Sequence, residues 1–204
     1  MNWLAHVFLS EQNIDFQIGN YLADPLKGRA WKEASVHLKN GLETHKNIDS
    51  FTDSHPIILK SKARLREKGL LKSIVIDITY DYFLTKNWDT FCLIPFEEFT
   101  QDFYNQANKR LDFLPENAKE SVNRLIKYNI LNKYQSVEHL KKAFEKFDKR
   151  LSDKLASRDT VSSYIQAVEK NIENLEKDFM IFFPELCELI KKSIDNKKLK
   201  HWRI

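Results

Sequence analysis

Residues 161–183 read VSSYIQAVEKNIENLEKDFMIFF. Val161, Ile165, Val168, Ile172, Leu175, Phe179 and Phe182 recur at alternating intervals of four and three. This spacing keeps apolar side chains on one face and predicts an amphipathic helix of about six turns. Asp159 or Thr160 can cap its start, and Pro184 marks its end or the start of another helix. Val137, Leu140, Phe144, Phe147, Leu151 and Leu155 repeat the pattern after Ser136, a fitting N-cap. Val122, Leu125, Ile126, Ile130 and Leu131 predict a shorter helix after Pro115. Such stripes can be coiled-coil seams, but a few heptads within one domain read first as core contacts.

The chain around these stripes agrees with them. Its 204 residues hold 4 glycines and 5 prolines, too few for the turns of a many-stranded fold. Leu70–Leu84 is ambiguous: Ile74, Val75, Ile76 and Ile78 favour a strand, yet the run continues through Tyr80–Leu84 without a turn signal. Length favours a helix. The prediction is an all-α, single-domain helical bundle over residues 1–204. Chemistry-bearing residues fall in 1–90 and mainly packing helices in 91–204.

Composition narrows the function classes. With 42% hydrophobic and 30% charged residues the chain is neither disordered nor rich in membrane spans. A net charge of +4 is too weak to demand nucleic acid but suits an acidic partner. Cys92 and Cys187 form no zinc pattern, and two thiols so far apart predict a reduced, cytoplasmic protein. The start, MNWLAHVFLS, lacks a basic n-region and a cleavage site. The basic residues 197–203 read as a loosely held, solvated end, with a docking patch as the alternative.

Four polar pairs stand at helical spacing in the first 81 residues: Asn2/His6, Asn20/Asp24, His45/Asp49 and Asp77/Asp81. The third continues through Thr52 and Asp53. A spacing of four puts both members on one face. His6, Asp24 and Asp77 lie among apolar neighbours, where an unpaired carboxylate costs several kcal/mol. Each group has a plain reading as a core histidine, a cap or a surface ion pair. Taken together, carboxylates and histidines without internal cations point to a divalent metal. His with Asp and Asn suits Mn²⁺, Fe²⁺, Mg²⁺ or Zn²⁺, and the missing cysteine ligands argue against structural zinc. No glycine-rich phosphate loop and no G-x-S-x-G elbow occurs.

These residues carry a resemblance. Met1-Asn2-Trp3-Leu4-Ala5-His6 resembles the M-N-[aromatic]-L-A-H start of the acyl-carrier-protein phosphodiesterases. Gly19-Asn20-Tyr21-Leu22-Ala23-Asp24 with Gly28 resembles their G-N-x-L-A-D-x-x-x-G. Gly41-x-x-x-His45-x-x-Ile48-Asp49-x-x-Thr52-Asp53 resembles their G-x-x-x-H-x-x-I-D-x-x-T-D, and Asp77-x-x-Tyr80-Asp81-Tyr82-Phe83-Leu84 with Trp88 their D-x-x-x-D-[HY]-F-L…W. The resemblance implies an all-helical, divergent relative of the HD-type metal phosphohydrolases, using Mn²⁺ or a similar ion. It implies hydrolysis of the diester joining 4′-phosphopantetheine to a serine of acyl carrier protein, a step in lipid metabolism.

On both grounds Asp24, His45, Asp49 and Asp81 are expected to hold the metal, with His6 also a ligand candidate. Asp24, His45 and Asp49 are the expected catalytic groups. Asn20, Asp53 and Asp77 are alternatives or supports. Lys27 and Arg29 near Asp24, and Arg64 in the cluster Lys60–Arg66, are expected to meet the acidic carrier protein. Two other functions remain open: an HD-like phosphohydrolase of a small nucleotide or diester, and a non-catalytic helical adaptor for an acidic protein.

Overall fold

The computed structural model describes residues 1–204. It contains twelve α-helices and no strand. They are α1 (Trp3–Phe8), α2 (Ile14–Leu22), α3 (Val36–Ser54), α4 (Pro56–Leu65), α5 (Lys72–Lys86), α6 (Trp88–Phe91), α7 (Phe96–Arg110), α8 (Glu116–Lys127), α9 (Val137–Asp148), α10 (Asp153–Ala156), α11 (Ile165–Lys170) and α12 (Ile172–Lys191). One contiguous core of 51 buried residues runs from Met1 to Trp202, so the bundle is a single all-α domain. No helix is long and apolar enough to cross a membrane.

The ambiguous segment 70–84 is helical. In α5, Val75, Ile76 and every residue from Ile78 to Leu84 are buried. Packing on all sides overrides the strand propensity of its β-branched residues.

Several sequence expectations need correction. The helix expected over residues 122–131 stops at Lys127, and Ile130 and Leu131 fall in a separate 3₁₀ turn. The stripe 161–182 is not one helix. A 3₁₀ turn at Ser162–Tyr164 leads into α11, and the helix breaks at Asn171 before α12 resumes. The Asn171 amide donates to the carbonyls of Arg64 (3.1 Å) and Ala167 (2.9 Å), anchoring the break to the end of α4. Pro184 neither ends α12 nor starts a helix; it lies inside. A mid-helix proline costs about 3 kcal/mol. Burial of Phe179, Phe182 and Phe183 offsets this at about 1.5–3 kcal/mol per side chain.

The caps also differ. Ser136 does cap α9, its Oγ accepting from the His139 N–H at 3.2 Å. The helix ends at Asp148, leaving Leu151 and Leu155 outside it. Asp148 accepts from the amides of Val161 and Ser162, the role expected of Asp159 or Thr160. Asp159 is instead buried and accepts from the Leu70 and Leu71 amides, the Tyr164 hydroxyl and Arg66.

The basic tail is held firmly. His201 and Trp202 are buried, and His201 Nε2 (2.8 Å) and Trp202 Nε1 (3.0 Å) both reach the Phe8 carbonyl at the end of α1. The Arg203 amide donates to the Phe91 carbonyl and the Leu93 amide to the His201 carbonyl.

Two glycines set the spacing of α2 and α3. A Cβ on Gly19 would stand 2.2 Å from the Leu38 carbonyl oxygen, and one on Gly41 2.1 Å from that of Phe16. Only glycine lets these backbones touch.

Candidate metal centre

That backbone contact brings α1, α2 and α3 to one point. The His6 and His45 rings stack, with centroids 3.9 Å apart and planes 16° from parallel. Asn20, fully buried in α2, orients both. Its amide Nδ2 donates to the His6 carbonyl (2.9 Å) and to Ser10 Oγ (3.0 Å), which fixes its Oδ1 as the acceptor for His6 Nδ1 (2.9 Å). Its backbone carbonyl accepts from His45 Nδ1 (2.7 Å). Both imidazoles therefore carry hydrogen on Nδ1 and present Nε2 to the same space.

That space is lined by oxygen. His6 Nε2 lies 3.2 Å from the Met1 carbonyl and 3.4 Å from Asp49 Oδ1. His45 Nε2 lies 3.0 Å from Asp49 Oδ2 and 3.3 Å from Asp24 Oδ1. It is buried, and no hydrogen bond of good geometry reaches it although both oxygens are close. Donor atoms of His6, His45 and Asp49 all stand within 4.8 Å of one another. The lone pair on His6 Nε2 faces oxygen lone pairs, an arrangement that a cation between them would satisfy; the Met1 ammonium stands nearby, 3.7 Å from Asp49 Oδ1. Two imidazoles with carboxylates suit a divalent ion of the Mn²⁺, Fe²⁺ or Zn²⁺ kind. The Nδ1 bonds to Asn20 are the supports that ligating histidines use.

Without a cation, a proton takes its place. Burial disfavours charge on His45, but Asp24 and Asp49 win and push it up to about 9. Burial and the charge on His45 hold His6 below its ordinary value. Burial opposes ionisation of Asp49, yet His45 and His6 hold it well below the carboxylate range. Asp24 is lowered chiefly by His45. Asp24 is 71% exposed and Asp49 40%, so the centre opens to solvent on the Asp24 side.

The sequence family described as acyl carrier protein phosphodiesterase matches residues 1–186, a span that contains every group of this centre. The chain belongs to the acyl carrier protein phosphodiesterase family. Curated relatives bearing that name include one from Photorhabdus laumondii, 26% identical over 92% of this chain and 94% of the relative. Another, from an Enterobacter strain, is 27% identical over 98% of this chain and 100% of the relative, and one from Yersinia pestis is 25% identical over 91% and 95%. No solved structure gives a significant match.

Within this phosphodiesterase-family fold, the other expected site residues have different tasks. Asp81 is the main correction. Its oxygens accept from the backbone N–H groups of Leu4 (2.9 Å) and Ala5 (3.2 Å). The N-cap position of α1, Asn2, makes no side-chain capping bond, so Asp81 caps that helix from α5. Burial pushes its carboxyl up to about 7, against the pull of those two amides. Asp77 lies 3.1 Å from the Met1 nitrogen, beside the centre. Asp53 is exposed and pairs with Lys62 at 3.6 Å, outside the cluster.

The expected basic surface divides. Lys27 and Arg29 are exposed after α2. Arg64 is not free: its Nε lies 2.7 Å from Asp178, a buried carboxylate of α12. Lys60 also holds Asp178, Lys62 holds Asp53, and Arg66 holds Asp159, so this cluster serves the fold. Ser10, which steadies the Asn20 amide, was not singled out from sequence. It stands four residues after His6, the same spacing that marked the other pairs.

Proposed function

We propose that the chain is a metal-dependent phosphodiester hydrolase that releases 4′-phosphopantetheine from holo-acyl carrier protein, leaving the apo form. Membership of the family supports the substrate class. The observation that carries the metal reading is the pair of stacked histidines, each held at Nδ1 by Asn20, whose Nε2 atoms converge on Asp49. His6, His45 and Asp49 would hold the ion, with Asp24 at its open side. Mn²⁺ is the first candidate, with Mg²⁺ or Fe²⁺ next. When bound, such an ion neutralises phosphoryl charge and lowers the pKa of water toward about 7.

The residues of the chain supply the rest. Asn20 keeps both imidazoles in one tautomer and one orientation. Asp24, ionised and facing solvent, accepts a hydrogen bond from the attacking water and orients it. In the reaction the water oxygen joins phosphorus and the bond from phosphorus to the serine oxygen breaks. The serine oxygen takes a proton, and the arm leaves as the phosphomonoester.

The test is mass spectrometry of holo-acyl carrier protein after incubation with purified protein of known metal content. Loss of the whole phosphopantetheine arm, abolished by chelation and by Asp49→Asn, is the expected result. Turnover of small nucleotides or diesters alone would make the chain an HD-like phosphohydrolase of another substrate. Binding of carrier protein with no metal and no product would make it an adaptor.

A further inference from the structure

With the Lys60–Arg66 cluster committed to the fold, the free cations near the centre include the exposed Lys27 and Arg29 after α2 and two arginines later in the chain. Arg64, Arg66 and Arg110 each hold a carboxylate, respectively Asp178, Asp159 and Asp15. Arg124 in α8 and Arg150 just after α9 are exposed and hold none. The Arg150 guanidinium lies 5.9 Å from the centre of the Trp3 ring, and Trp3 meets Tyr21 edge-on at 5.9 Å. Trp3 stands three residues before His6 in α1, and Tyr21 three residues before Asp24 at the end of α2. The aromatic pair therefore borders the metal centre from both helices. Tyr21 also donates to the Ser121 carbonyl (3.1 Å), which fixes α8, and with it Arg124, against α2. Burial pushes the Tyr21 hydroxyl up to about 12 while the charges of Arg124 and Arg150 pull it down, so both guanidiniums act on this spot.

A guanidinium with no internal carboxylate retains its planar fork of donors, which matches a carboxylate in two places. Two such groups beside a half-buried indole fit a segment that carries acidic side chains around an apolar one. We infer that Arg124 and Arg150, with Trp3 between them and the metal centre, form the surface on which the acidic segment of the carrier-protein substrate docks. This rests on the carrier-protein reading above. It replaces Arg64 as the basic half of that contact and gives Trp3 and Tyr21 a part in substrate positioning.

The experiment uses the full-length, metal-loaded protein and the double reversal Arg124→Glu/Arg150→Glu, with matched melting curves. Two readouts are taken at low and high ionic strength: binding of fluorescently labelled apo-acyl carrier protein, and kcat/KM on holo-acyl carrier protein. The reversal is expected to weaken binding roughly tenfold or more at low salt, with the turnover loss appearing in KM. High salt should erase most of the difference, and Arg124→Lys/Arg150→Lys should retain most of the affinity. Equal carrier binding by wild type and reversal would overturn the inference, and if wild type still releases the arm, the hydrolase reading survives it. Salt-sensitive binding lost in the reversal, with no arm released by wild type, would instead uphold the docking surface and remove the hydrolase reading.

Discussion

Asn20 meets His45 through its backbone carbonyl, 2.7 Å from Nδ1, and not through its side chain. The amide is left free for His6. One residue thus fixes two ligand candidates by two separable contacts, and a substitution at position 20 removes only one of them. Asn20→Ala should keep His45 in place while His6 Nδ1 and Ser10 lose their partner. Loss of a support of this kind lowers metal affinity about 10–100-fold. The buried groups left unpaired should cost about 1–3 kcal/mol of stability. Metal titration and thermal melting of the variant check both.

His45→Gln should abolish arm release without unfolding the chain. It removes the ring nitrogen that faces both Asp24 and Asp49, leaving Asp49 with the Met1 ammonium at 3.7 Å. Full turnover with wild-type metal content in this variant would remove His45 from the centre.

The metal-free protein should respond to pH in a defined direction. His45 is raised from 6.5 to about 9, so at neutral pH it holds a proton where a cation would sit. Metal uptake near pH 7 should release that proton, and affinity should rise with pH until about 9. Stability of the metal-free form moves the other way. The contribution of this proton is complete below 6.5 and fades as pH rises through about 9. Calorimetry in buffers of different ionisation enthalpy would detect the proton release, and melting curves across that window the loss. A metal affinity that does not change over this range would contradict the protonated centre.

Asp81 separates a ligand from a cap. Asp81→Asn keeps an oxygen for one of the two amides of α1 and should cost about 1 kcal/mol, with metal content unchanged. Asp81→Ala leaves both amides buried and unpaired and should cost more, about 1–3 kcal/mol for each. Loss of metal from a stably folded Asp81→Asn protein would return Asp81 to the ligand set.

Gly41→Ala tests the helix contact beneath the centre. The added Cβ would stand 2.1 Å from the Phe16 carbonyl and 2.8 Å from the Asn20 nitrogen, so α2 and α3 must separate. Overpacking of this kind costs about 1–3 kcal/mol or more. The bond from His45 to the Asn20 carbonyl should lengthen, lowering melting temperature and metal affinity together.

The residues explain what could be read in advance. His6 and Asp24 were legible because each is polar among apolar neighbours and needs a partner, and Asn20, His45 and Asp49 because they fall in pairs at helical spacing. Asp81 has the same signature but a different partner: backbone amides of α1, which no spacing rule reveals. Arg64 read as a surface cation because its partner, Asp178, is 114 positions away. The stripe 161–182 carried the right face but not the break, because Asn171 is held by a carbonyl of α4. The α5 segment was decided by length, which proved the better guide than propensity. Arg150 and Trp3 gave no sequence signal because nothing local joins them.

The docking of His201 and Trp202 onto the Phe8 carbonyl has a consequence for biosynthesis. A chain emerges from the ribosome first residue first, so Trp3–Phe8 is made long before the groups that satisfy its far end. Its near end must also wait, for Asp81. The helix that carries His6 is thus translated long before it can be secured at both ends. A nascent chain halted before residue 201 would carry His6 on a helix whose last carbonyl lacks its partners, which ties the rigidity of that histidine to synthesis of the distant His201–Trp202 pair.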